Sequence, residues 1–290
     1  MSKVFLDAQG AVRNGWKVLG YLALMAGLVF LLNPLLRLLP APVKKAVPGP
    51  WNSFLVALLA AWICLRAEQR PLASLGFDLN RRFGRDFLLG TLGGFVLMGT
   101  TAGIIWAAGG VHWARTPGVG LSQLLGGAWL FLAVAFFEET MFRGYLFQRS
   151  VRGTGVTVTQ LVFATTFALA HWSNPGMAGA TKAWATANIA LAALLLGFCY
   201  LRTGSLALPI GIHLGWNWTQ GSLLGFGVSG TTNAGWWTPV FHGRPEWLTG
   251  GAFGLEASVM GVLVCGAAVL GLWRWKGDAP SADASTASAS

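Results

Sequence analysis

Charge is what this sequence has least of. Only 10% of its 290 residues are Asp, Glu, Lys or Arg, where soluble domains carry about a quarter. At the same time 54% are hydrophobic and the mean hydropathy is +0.58. A water-soluble globule is excluded by that balance, and a membrane protein is indicated. Cysteine is nearly absent too: Cys64, Cys199 and Cys265 each lie inside an apolar run, with no CxxC and no Cys/His ligand spacing, so packing between lipid-embedded helices accounts for them. There is no HExxH, no nucleic-acid motif and no internal repeat. Acid is scarcer than base, 10 Asp and Glu against 20 Lys and Arg. In a soluble chain the resulting +10 would suggest nucleic acid. Here the basic residues fall mostly in short loops between apolar runs, where membrane orientation and anionic lipid headgroups explain them better.

Long apolar runs are what the sequence does have. A hydrocarbon core of ~30 Å needs roughly 20 apolar residues per helix, and lipid offers no partner to an unpaired backbone group, so each run must be helical. The expectation is an all-α, polytopic membrane bundle of about eight transmembrane helices: 16–39, 51–65, 87–108, 121–147, 156–172, 183–201, 206–224 and 251–273. At this length one integral domain, 1–277, is expected, followed by a disordered tail at 278–290, "DAPSADASTASAS", which lacks large apolar residues. The first run has a basic lead, yet Pro40 and Pro42 follow it with no small-x-small cleavage site, so it reads as a retained span. Sides holding both termini carry 14 of the Lys and Arg residues and the opposite sides 6, which predicts cytoplasmic termini. Several of the 15 tryptophans, including Trp16, Trp51, Trp113, Trp236, Trp237 and Trp273, fall at span ends as an interfacial belt requires. The short loops suggest a prokaryotic host and a bacterial cytoplasmic membrane.

Against that background the stretch "AVAFFEETMFRGYLF", Ala133 to Phe147, stands out for placing two glutamates and an arginine inside an apolar run. A charge at mid-bilayer costs at least ~2.5 kcal/mol. Glu139 and Arg143 are spaced i, i+4 with the acid first, the favourable order for a helical ion pair, so a structural pair is expected. Glu138 is turned about 100° from Glu139 and has no such partner on its own segment. Its candidate partners lie in "FALAH", ending at His171, and in "HLGWN", where His213 and Asn217 share one helix face. Taken singly, an intramembrane His or Asn is more often helix-packing glue, and Phe167 is packing. Taken jointly, one unpaired carboxylate, two imidazoles and an amide at similar depth indicate a functional site.

"EETMFR", "FALAH" and "HLGWN" resemble, in order, the E-E-x-x-x-R, F-x-x-x-H and H-x-x-x-N motifs of the CAAX protease and bacteriocin-processing family of intramembrane proteases. The resemblance covers about residues 120–220. It implies hydrolysis of a peptide bond by an activated water in a cavity open to the cytoplasmic side. By position, Glu138 is the implied general base, His171 helps to hold the water, His213 and Asn217 stabilise the oxyanion, and Glu139 with Arg143 support the site. The implied substrate is a membrane-anchored, prenylated or leader-bearing peptide in the lipid bilayer, with no nucleic-acid partner. No motif speaks to oligomeric state. The cofactor is left open: Glu138, His171 and His213 could form a His₂Glu zinc set with one position for water, while an Asn beside His213 suits an oxyanion donor better than a zinc ligand, and the metal-free site is favoured. Two rivals are an ion-coupled transporter using the same groups as a relay, against which the missing repeat argues, and a non-proteolytic scaffold or immunity protein of the same fold.

Overall fold

The computed structural model describes residues 2–232 and 234–277. The expected tail at 278–290 lies outside them. Twelve helices dominate the described residues: α1 (Ser2–Phe5), α2 (Asn14–Arg37), α3 (Ala41–Ala46), α4 (Gly49–Ala67), α5 (Arg81–Ala107), α6 (Leu121–Arg143), α7 (Tyr145–Thr154), α8 (Val156–Ala170), α9 (Gly179–Thr203), α10 (Ala207–Asn217), α11 (Glu246–Thr249) and α12 (Val259–Arg274). Each expected apolar run contains one of them. By length and composition, however, five helices can cross a membrane: α2, α4, α5, α9, and the stretch Leu121–Thr154 that joins α6 to α7. The apolar helices α8 and α12 are shorter. Large apolar side chains point outward on these helices, among them Phe30, Leu88, Leu92, Leu161 and Leu263, each more than half exposed. Solvation of such a surface by lipid, whose tails are as apolar as the side chains, removes the cost it would carry in water.

Three departures from the sequence expectation have local causes. The fourth run is not one helix: it breaks at Gly144, where ψ is −134° and a Cβ would strike the carbonyl oxygen of Thr140. The eighth run starts later than expected, at Val259, because Gly250, Gly251 and Gly254 take φ of 82°, 54° and 113° and force a turn through the preceding segment. Lastly, the bundle carries a two-stranded antiparallel ribbon, β1 (Val111–Arg115) with β2 (Trp237–Phe241), in which Trp113 stands opposite Pro239. The indole of Trp113 donates to Leu224 O at 3.2 Å, which ties the ribbon to the chain just after α10.

The two helices in closest contact, α5 and α10, approach through paired glycines. "GTLGG" in α5 sets Gly90 and Gly94 four apart, and "GIHLG" in α10 does the same with Gly211 and Gly215. A Cβ on Gly94 would collide with Ile212 O, and one on Gly215 with Thr91 O. Small residues at this spacing let two backbones meet without intervening side chains, and His213, between the two α10 glycines, is left facing a different neighbour. Neighbouring positions give a built-in control: a Cβ on Gly93 meets nothing nearer than the Ile212 side chain at 3.7 Å. Gly94→Ala is therefore expected to lower the unfolding temperature of the detergent-solubilised protein by several degrees or prevent folding, since overpacking costs ~1–3 kcal/mol or more, while Gly93→Ala leaves it nearly unchanged.

At one end of the bundle Arg149, 1% exposed, is a buried partner of Glu68. Arg149 Nη2 lies 2.8 Å from Glu68 Oε2, and the Tyr145 hydroxyl and Arg149 Nε donate to Glu68 Oε1. Burial alone would push the Glu68 carboxyl up, but the hydrogen bonds from Tyr145 and Arg149, with the charges of Arg149 and Lys17, hold it below its usual range.

Candidate active site

The site is built outward from Glu139. Placed one turn before the end of α6, Glu139 is fully buried, and its Oε1 accepts from Arg143 Nη1 at 3.1 Å, as the i, i+4 spacing predicts. Arg143 also donates through Nη2 to Ala193 O at 2.9 Å, fixing α6 against α9, and its guanidinium sits 5.3 Å from the Phe167 ring centre. What the spacing did not show is a second donor on the same oxygen: His213 Nδ1 lies 2.8 Å from Glu139 Oε1. Since a carboxylate only accepts, the His213 Nδ1–H points at Glu139, and the ring is held with Nε2 facing the other way. There it lies 3.8 Å from Glu138 Oε2. Adjacent glutamates thus address opposite nitrogens of one imidazole.

Glu138 itself is part-exposed, 21% at its side chain, and its buried Oε2 accepts no hydrogen bond among the described residues. It opens on a cavity of about 500 Å³ enclosed by α6, α8, α9, α10 and the chain that follows α10. His171, His213 and Asn217 line the same cavity. His171 caps the C-terminus of α8, and its Nδ1–H donates to Phe167 O at 2.7 Å, so the F-x-x-x-H spacing supplies a carbonyl that orients the ring and leaves Nε2 as its remaining nitrogen. Asn217 is the last residue of α10, 6% exposed, and makes no side-chain hydrogen bond within the described residues. From that point the chain widens into a π-helical stretch, Trp218–Leu223, a rare geometry found frequently at functional sites. Aromatic and aliphatic walls complete the cavity, including Phe131, Phe142, Phe167, Met141, Leu196 and Trp216.

All four residues singled out from the sequence as chemically active therefore border one cavity, while Glu139 and Arg143 stand behind it. Sequence reasoning missed Asn174, Ser229, Thr231 and Glu256, which also line it. Only Glu256 carried a signal, as a lone acid in an apolar run; the others are loop residues without one. Among the described residues no group of three His, Cys, Asp or Glu side chains is placed to hold a metal ion.

An apolar helical bundle that gathers Glu138, His171 and His213 on one cavity, with Glu139 and Arg143 buried behind them, is that of an integral membrane protein. The family model described as Rce1-like, type II CAAX prenyl endopeptidase Rce1-like, matches residues 120–219, the segment that contains all three motifs. That match supports the CAAX protease and bacteriocin-processing family. A comparison with curated proteins finds no match.

Proposed function

We propose that the protein is an intramembrane endopeptidase that hydrolyses a peptide bond of a membrane-associated peptide, with Glu138 activating the attacking water. The observation that carries this reading is Glu138, a part-exposed carboxylate whose Oε2 has no hydrogen-bond donor among the described residues, on the wall of a cavity that His171, His213 and Asn217 also line. Of the buried side-chain atoms without a partner among the described residues, Glu138 Oε2 is the one carried by a residue that lines this cavity, and such an atom calls for a bound water, ion or reactant or a catalytic role.

In the proposed reaction a water molecule held between Glu138 and His171 Nε2 gives its proton to Glu138 as its oxygen attacks the carbonyl carbon of the scissile bond. Negative charge then develops on the carbonyl oxygen. The donors available to it are the Asn217 amide and, in the doubly protonated imidazolium, His213 Nε2–H; the ring is aimed before the reaction by its Nδ1 bond to Glu139, so little reorganisation is needed as charge forms. Collapse of the tetrahedral species breaks the C–N bond, and the proton on Glu138 passes to the departing amine. The apolar walls exclude bulk water and suit the hydrophobic flank of a membrane-anchored substrate. The metal-free alternative is the one proposed, because an Asn217 amide beside His213 suits an oxyanion donor better than a zinc ligand; the Nδ1 bonds to Phe167 O and Glu139 leave both Nε2 atoms free and suit either alternative.

Reconstitution into liposomes with a lipid-anchored peptide, followed by mass analysis of the products, tests the reading. Two fragments summing to the substrate plus one water are expected. Activity is expected to survive chelation, with metal well below one equivalent per chain. Loss of activity on chelation and recovery with zinc would replace this mechanism by a metal-dependent one, and the absence of any cleaved peptide would return the field to the transporter and scaffold alternatives.

A further inference from the structure

Two carboxylates line the cavity, Glu138 and Glu256, and the reaction proposed above uses only the first. Glu256 lies outside the segment matched by the family model. It sits in the turn Leu255–Ala257 between α11 and α12 and is 6% exposed, and no cation pairs with it among the described residues. A buried acid without a counter-ion is costly, so its hydrogen bonds matter. Oε1 accepts from Trp216 Nε1 at 3.1 Å, and Oε2 accepts from both the backbone N–H and the hydroxyl of Ser229, at 2.7 and 2.9 Å. Its own carbonyl accepts from Asn188 Nδ2 at 3.1 Å, which anchors the segment to α9.

Each donor borders the site. Trp216 precedes Asn217 on α10. Ser229 is the second residue of a tight turn, Val228–Thr231, closed by two backbone bonds of 2.8 and 2.9 Å between its end residues. Ser229 and Gly230 take φ of +47° and +81°, a left-handed conformation that a serine rarely keeps unless its surroundings hold it. Here three groups do: Glu256 from one side, Phe253 O accepting from Gly230 N at 3.0 Å, and Asn174 Nδ2 donating to Ser229 O at 2.9 Å. Asn174 is three residues beyond His171. The turn thus joins the loop that carries His171 to the helix that carries His213 and Asn217, and Val228, Ser229 and Thr231 all contribute to the cavity wall.

We propose that Glu256 is a positioning residue of the peptidase cavity, clamping the turn Val228–Thr231 to Trp216 and so fixing the wall against which the substrate binds. The inference rests on the peptidase reading. It requires no contact between Glu256 and the reacting atoms. A loosened wall weakens binding of substrate and transition state alike, which raises KM and largely spares kcat.

Glu256→Gln preserves size but offers one acceptor oxygen to three donors and adds an amide that competes with them. In this variant, amide hydrogen exchange at residues 228–231 is expected to speed up about tenfold, and KM for the lipid-anchored peptide to rise about tenfold with kcat changed much less, because the clamp orders a binding surface and leaves the water-activating groups in place. Glu256→Asp, which retains the anion, should recover part of the KM. If Glu256→Gln does not accumulate, Ser229→Ala removes one donor and should raise KM about threefold with the same sparing of kcat. Unchanged exchange at 228–231 would show that Glu256 is no clamp; faster exchange with unchanged KM would show a clamp that does not shape binding. A wild-type protein that cleaves no peptide would defeat the peptidase reading, while the exchange measurement would still report on the clamp.

Discussion

Glu138→Gln lowers peptide hydrolysis by about 10²–10⁴-fold, the usual range for loss of a general acid–base group, and leaves the amount of folded protein unchanged. Glutamine is nearly isosteric with glutamate, and Glu138 Oε2 holds up no other part of the structure: it accepts no hydrogen bond among the described residues, and His213 Nε2 lies 3.8 Å from it. Removing the charge therefore takes away a base without removing a support. The measurement is initial rate in liposomes, normalised to protein by monodispersity in detergent. A variant that keeps wild-type rates would remove Glu138 from the chemistry, and a variant that aggregates would show that the residue is structural.

Arg143→Ala has the opposite signature. Arg143 is 2% exposed and serves as the counter-ion of fully buried Glu139, a tie to α9 through Ala193 O, and a cation over the Phe167 ring. Truncation leaves Glu139 charged, buried and held only by His213. Breaking a buried pair by removing one partner costs about 3–5 kcal/mol, a large share of the ~5–15 kcal/mol that holds a typical domain together. Folded protein in the membrane is expected to fall steeply, and activity with it. Arg143→Lys should recover less than half of the folded protein, because one ammonium cannot reproduce the two-pronged reach to Glu139 Oε1 and Ala193 O. Full abundance of Arg143→Ala with lost activity would move the arginine from support into the reaction.

The parts of this arrangement legible in the sequence are those governed by cost. Because charge is expensive in an apolar run, Glu138, Glu139 and Arg143 announce themselves, and helical spacing alone pairs the last two. The same spacing puts His213 and Asn217 on one face. Hidden from the sequence were the relations set by how helices rotate against one another: that Glu139 serves His213 as well as Arg143 depends on the close glycine contact of α5 with α10, whose paired four-residue spacings were nonetheless visible. Hydropathy windows also smooth over interruptions. They ran Gly144 into one long span, though its backbone ends α6, and they absorbed Gly250, Gly251, Gly254 and Glu256 into an eighth span that begins only at Val259. The polar end of the cavity was lost with that segment. Eight apolar runs were read where five helices have the length and composition to cross a membrane, and α8 shows why: its 15 residues rise only about 22 Å, so His171 can end a helix next to the site rather than beyond the bilayer.

The central claim is that the reacting bond sits in the cavity among α6, α8 and α10. It is tested most directly by placing a photoreactive residue at the scissile position of a lipid-anchored peptide, cross-linking it to the Glu138→Gln protein, and sequencing the adducts. Capture by Phe142, Phe167 or Trp216 on the cavity wall is predicted. Capture instead in the separate pocket between α2 and α4, around Asn33 and Asn52, with the cavity residues unmarked, would contradict it.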